Sequence, residues 1–167
     1  MLLFYATVLI IRRKKMRLWH KDMIKHLPNQ QLISQYRELC CIAVLLAKNH
    51  TPNHILVNPI LDYPPEHFEQ YCNLVVKEMM YRKFNINETS YHQLQNNVRA
   101  WRIYLGNELP YDMISKDWDI ALSEPDLFAT WHTDRYLKQC YYNLEEKYDR
   151  GGIPDKEWMV LFANYGG

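Results

Sequence analysis

The 167 residues carry 20 basic and 19 acidic side chains, a formal net charge of +1, with 48% apolar and 23% charged residues. Those proportions belong to one globular domain large enough to bury a core. Only five glycines accompany 13 tyrosines and five tryptophans, which argues for helices and against a many-turned β fold. Cys40, Cys41, Cys72 and Cys140 show no CxxC spacing, as expected of reduced thiols in a cytoplasmic protein without disulfides.

The chain opens on a mostly apolar run, LLFYATVLII at 2–11, followed by Arg12, Arg13, Lys14 and Lys15 and then Met16. The run is well short of the roughly 20 residues a spanning helix needs. A signal peptide would carry its charges before the apolar run and a small-residue cleavage site after it. A β-strand and a weak membrane anchor remain open. A third reading is favoured, in which residues 1–15 are a translated leader or disordered extension and one helical domain spans 16–167. Arg and Lys both have purine-only codons, so RRKK before a Met could be a ribosome-binding site read as protein. A start at Met16 leaves 16 basic against 19 acidic residues, a net charge of −3. Any nucleic-acid surface must then be a local basic one.

Residues 30–48, QQLISQYRELCCIAVLLAK, predict a helix with a buried stripe of Leu32, Tyr36, Leu39, Ala43 and Leu46 at spacings of three and four. Pro28 bars an earlier start and Asn29 is the expected N-cap. Residues 49–63 contain two prolines and three asparagines and predict a loop. Pro64 and Pro65 then open a second helix running to about Phe84, with Phe68, Cys72, Val75, Met79 and Met80 on its apolar face. Residues 85–114 are mixed, with Pro110 a boundary, and a short helix is expected over 116–123. Thr133 caps the clearest late helix, DRYLKQCYYNLEEKY, whose stripe is Leu137, Tyr141, Leu144 and Tyr148 and whose stop is GGIP at 151–154. The apolar tail EWMVLFANYGG should pack on the body. The expected fold class is all-α, a single compact helical domain with long loops.

Most familiar chemistries lack their residues. His50 and His54 have an i, i+4 spacing, but Pro52 lies between them and no HExxH follows, so no metal site is expected. The cysteines fall mainly on apolar helix faces, where buried thiols are ordinary. No GxSxG, Walker A loop or GxGxxG is present. The pair Arg37–Glu38 adjoins the apolar stripe between Tyr36 and Leu39. By residue type alone it is a solvated ion or an intramolecular salt bridge.

The opening MRLWHKDMIKHLPNQQLISQYRELCC resembles the pyrimidine-dimer DNA glycosylase family of endonuclease V type, whose first helix carries a Tyr-Arg-Glu-Leu core, here Tyr36-Arg37-Glu38-Leu39. YRKFNIN at 81–87 is similar to the family's turn after its middle helix, and NLEEK at 143–147 to its late Leu-acidic-Glu-Lys segment. The resemblance implies an endonuclease V-like helical fold and a DNA repair glycosylase with abasic-site lyase activity. It would act on pyrimidine dimers or related damage in double-stranded DNA, with no cofactor or metal, no membrane and no obligate protein partner. In that family the terminal α-amine attacks the deoxyribose anomeric carbon, the base leaves, an imine forms and β-elimination cuts the strand. The essential carboxylate corresponds to Glu38. Arg37 suits a phosphate contact, Lys147 corresponds to a basic residue near the DNA, and His20 and Trp19 lie near enough to the terminus to line the pocket, although a packed aromatic is the plainer reading of Trp19.

An α-amine of pKa about 7.7–8.0 is roughly a tenth unprotonated at pH 7, whereas a lysine at about 10.4 is below about a thousandth. Three departures from the family pattern accompany the resemblance. The position of the nucleophilic small residue is held by Arg17, and a Met before a bulky Arg is normally retained, so Met16 would carry the amine one residue further out. Leu18 and Asn143 stand where basic residues are usual. A non-catalytic nucleic-acid-binding relative and a helical protein-interaction module are the alternatives.

Overall fold

The computed structural model describes residues 16–106 and 126–167. The reading of residues 1–15, the Pro110 boundary and the helix expected over 116–123 lie outside these residues. Among the described residues there are helices and loops and no strands, so the all-α expectation is borne out. A 3-10 helix, Lys21–His26, precedes α1 (Asn29–Asn49), and a second, Asn58–Asp62, lies in the loop before α2 (Pro65–Tyr81). Then follow α3 (Glu88–Tyr104), α4 (Asp134–Asp149) and α5 (Asp155–Tyr165). No helix among these is long and apolar enough to cross a membrane.

The predicted stripe of α1 is buried throughout, and α1 packs on α3 and α2. Phe68, Cys72, Val75 and Met79 of α2 are buried as expected, but Met80 is exposed, because one position beyond Met79 turns it off the core face. The helix ends at Tyr81, short of Phe84. Asn29 is not the N-cap: Pro28 holds that position, and Asn29 spends its polar groups on tertiary bonds. Its backbone N–H and its Nδ2 donate to the two oxygens of Glu157 at 2.8 and 3.1 Å.

The mixed segment contains a 17-residue helix, α3. Asn87 caps it, accepting from the Ser90 N–H at 2.9 Å, and Leu94, Val98, Trp101 and Arg102 face inward. Thr133 caps α4 as expected, and the helix stops where Gly151 takes a left-handed φ of 73° that a Cβ would disfavour. The tail forms α5. Trp158 stacks on Tyr148 and Tyr141, and the Tyr165 hydroxyl reaches the Asp22 carbonyl at 2.7 Å.

Arg82, at the C-terminal end of α2, ties this frame to the first 3-10 helix. Its guanidinium donates to the carbonyls of Leu27 at 2.6 Å and Lys25 at 2.9 Å, while Nε holds Glu78 at 2.6 Å. These carbonyls end a helix and have no donors of their own along the chain. Arg82→Met keeps the aliphatic stem and removes the donors. It is expected to cost about 2–3 kcal/mol, read as a lower urea midpoint with unchanged slope.

Candidate active site

Residues 16–20 run as an irregular segment along α1, with Met16, Leu18, Trp19 and His20 buried and Arg17 half-buried. Side chains from three helices take up its backbone polar groups. Glu38 on α1 accepts the Arg17 N–H through Oε2 at 3.2 Å. One turn earlier on the same helix, Gln35 accepts the Trp19 N–H at 2.8 Å and donates to the Arg17 carbonyl at 3.0 Å. Tyr71 on α2 donates to the Trp19 carbonyl at 2.6 Å, and Tyr136 on α4 to the Leu18 carbonyl at 2.5 Å. The hydroxyls of both tyrosines are pushed well above the ordinary range, first by burial. They stay protonated, as donors must.

Glu38 is half-buried, and the nitrogen it faces belongs to Arg17 rather than Met16. Beside it the Arg17 guanidinium lies 4.9 Å and the Lys147 Nζ 5.8 Å from the centroid of the Trp19 ring. Both are within cation–π range. Trp19 is packed, as its plainer reading required, and the exposed Lys147 is brought to the edge of the site. Arg37, beside Glu38 on α1, is exposed. Leu18 is fully buried and Asn143 donates to the Gln139 carbonyl at 2.6 Å, so neither position supplies a cation.

His20 does not line an open pocket. Its ring is 2% exposed, accepts the Asp22 N–H at 3.2 Å and stacks on His132 at 5.1 Å. His132 in turn accepts the Lys21 N–H at 2.9 Å. Burial lowers both imidazoles, His20 below the usual range and His132 to about 2, with the neighbouring His20 and Lys21 charges adding to the latter. Two neutral rings thus pack beneath the segment, and reaching a phosphate with His20 would require opening the core. This corrects the expectation that His20 lines the pocket.

The other candidates separate in space and chemistry. Burial raises all four thiols, Cys41 to about 11 with Cys40 and Glu38 contributing. Little thiolate forms at neutral pH, so none is a ready nucleophile. The His50 ring stacks on Tyr104, whereas His54 accepts the Leu56 N–H at 3.3 Å. Among the described residues no three His, Cys, Asp or Glu side chains could share a metal ion. Sequence reasoning missed Gln35, Tyr71, Tyr136 and His132. Only Gln35 left a trace, three residues before Glu38 and therefore on the same helix face.

Fold and site together define a helical domain whose first helix turns a carboxylate toward a main-chain nitrogen at the domain's beginning. The family model described as pyrimidine dimer DNA glycosylase matches residues 16–92. The match starts at Met16 and takes in Glu38, Gln35 and Tyr71, so the resemblance is borne out over this stretch. That family is one of DNA repair glycosylases, and residues 16–92 are similar to it. No curated protein and no solved structure gives a significant match.

Proposed function

We propose that the protein removes pyrimidine dimers or related damaged bases from double-stranded DNA and cuts the resulting abasic site through an imine on its own terminal amine. The observation that carries this reading is the 3.2 Å approach of Glu38 Oε2 to the nitrogen of Arg17. In a chain that begins there, this nitrogen is an α-amine already facing a carboxylate. This reading needs a chain that starts at Met16 and then loses it to expose Arg17, although a Met before a bulky Arg is ordinarily kept. A retained Met16 would instead put the amine one residue beyond the carboxylate.

The neutral amine would attack C1′ of the damaged nucleotide, breaking the glycosidic bond as the base leaves with its electron pair. Loss of one amine proton, and opening of the C1′–O4′ bond as its oxygen takes up a proton, give an iminium at C1′. Removal of a C2′ proton then expels the 3′ phosphate, and water releases the sugar fragment from the amine. Glu38 is suited to stabilise the cation and to carry the C2′ proton. Arg17, Arg37 and Lys147 supply local positive charge for phosphates on a chain whose overall balance is otherwise acidic from Met16 onward. Access to C1′ requires the target nucleotide to leave the stack.

The direct test is to incubate protein beginning at residue 16 or 17 with abasic-site duplex DNA and borohydride. A covalent adduct carrying the amino-terminal peptide is expected. No adduct, under conditions that trap a known lyase, sinks the catalytic reading. Salt-dependent duplex binding without an adduct would then favour a non-catalytic DNA-binding relative. Mass spectrometry of the native terminus shows which residue carries the amine.

A further inference from the structure

Four of the five backbone bonds that hold residues 17–19 come from side chains other than Glu38, and two of those come from one residue. We infer that Gln35 is a positioning residue that sets the register of the amino-terminal segment, fixing the nitrogen of residue 17 against Glu38. The inference rests on the reading of the site given under Proposed function and deepens it.

Gln35 is fully buried. Its Oε1 accepts from the Trp19 N–H at 2.8 Å while its Nε2 donates to the Arg17 carbonyl at 3.0 Å. A carbonyl and an N–H two residues apart face the same side of an extended chain, so the carboxamide pairs with the segment as a neighbouring strand would. The pairing also fixes which amide atom is which, since only nitrogen can donate to a carbonyl. Tyr71 stands against the same pair. Its hydroxyl donates to the Trp19 carbonyl at 2.6 Å and stands 3.2 Å from Gln35 Oε1.

The spacing on α1 gives this lock its consequence. Gln35 and Glu38 are three residues apart and thus neighbours on one helix face. With residues 17 and 19 seated on Gln35, the next group along, the nitrogen of residue 17, meets Glu38. A slip by one residue would turn the opposite side of the segment to α1. Glu38 would then lose the residue 17 nitrogen, and the buried Leu18 and Trp19 would have to exchange places. A purely structural glutamine in this position would have no reason to stand one turn from the carboxylate and to grip the residue whose nitrogen that carboxylate takes.

Glu38 on α1 meets the residue 17 nitrogen, Lys147 on α4 lies over the adjoining Trp19 ring, and Tyr136 and Cys140 on α4 and His54 in the loop after α1 feel the Arg17 guanidinium beside that nitrogen. Of these only Glu38 makes a bond to it. A carboxylate held there raises the amine's pKa, and an amine released from it returns toward the ordinary α-amine value. Gln35→Met removes both bonds at nearly constant volume, and Tyr71→Phe keeps the ring while removing the hydroxyl that holds the Trp19 carbonyl beside Gln35.

The experiment follows borohydride trapping on abasic DNA against pH, with DNA affinity measured alongside, in protein carrying its native amino terminus. Gln35→Met is expected to trap at least tenfold more slowly at pH 7.5, with DNA affinity within twofold. Its pH midpoint should fall by about one unit toward the free-amine value. Tyr71→Phe should shift both in the same direction by less, and it carries the test if Gln35→Met does not fold. An unmoved midpoint overturns the inference, whether the rate is unchanged or falls, and so does a rate loss matched by an equal loss of DNA affinity. No trapping by the unsubstituted protein sinks the functional reading and this inference with it.

Discussion

Glu38→Gln is expected to go on forming the trapped adduct with abasic DNA while strand cleavage falls by about 100- to 10,000-fold. The amide is isosteric with the carboxylate and keeps an oxygen that can accept from the residue 17 nitrogen, now held at 3.2 Å. Gln35, Tyr71 and Tyr136 still seat the segment. The nucleophile therefore stays in place. What disappears is a negative charge beside the iminium and a base able to take the C2′ proton, since an amide does neither at neutral pH. Adduct yield and nicked product from the same reaction, followed on one denaturing gel, separate the two steps. Equal loss of both would make Glu38 a mere holder of the segment, and loss of neither would remove it from the chemistry. The amine itself should also titrate lower in this variant, so trapping at pH 7 is expected to hold or rise.

The parts of the molecule that were legible in the sequence are those whose signal is local. The stripe of α1 and the capped start of α4 follow from spacings within one helix, and both are seen. Glu38 was legible because a contiguous four-residue core carries it. α3 was not, since its inward face offers only Leu94, Val98 and Trp101 among polar neighbours, and its fourth inward position is an arginine that reads as surface. Met80 failed for the opposite reason: an apolar residue on the edge of a stripe has no local mark of exposure.

Gln35 shows the same limit at the site. A glutamine in a helix reads as solvated, and its partners lie 16 and 18 residues back along the chain. Nothing but the folded segment brings them together. His20 was misjudged by the converse step, nearness in sequence to the terminus standing in for nearness to the substrate. Its partner across the stack, His132, lies 112 residues away, and the His132 acceptor bond from Lys21 spans 111.

Arg102→Ala is expected to destabilise the fold by about 3–5 kcal/mol at neutral pH, and by much less near pH 4.5. Arg102 is 4% exposed and links α3 to α2, bonding Glu69 through Nη1 and Glu66 at 2.8 Å through Nη2. Burial holds the Glu69 carboxyl above its usual range even though the guanidinium pulls it down. A carboxyl raised on folding binds its proton more tightly in the native state, so its contribution is fully present below the unfolded pKa. It is lost as pH climbs through the folded one. Removing Arg102 takes away the main force lowering that pKa, so the buried carboxylate costs more at pH 7.5 while at pH 4.5 it is substantially protonated. Urea titrations at the two pH values read the difference directly. Arg102→Met with Glu69→Leu should recover most of the loss at pH 7.5, because no ion is then left unpaired. An equal loss at both pH values would mean that the guanidinium matters for packing on Glu69 and not for its charge. α3 also meets α1 through the Tyr36 hydroxyl, which donates to Ser90 at 3.2 Å one half-turn before Glu38. Loosening the far end of α3 should therefore lower the melting temperature of the domain well before it disturbs the carboxylate.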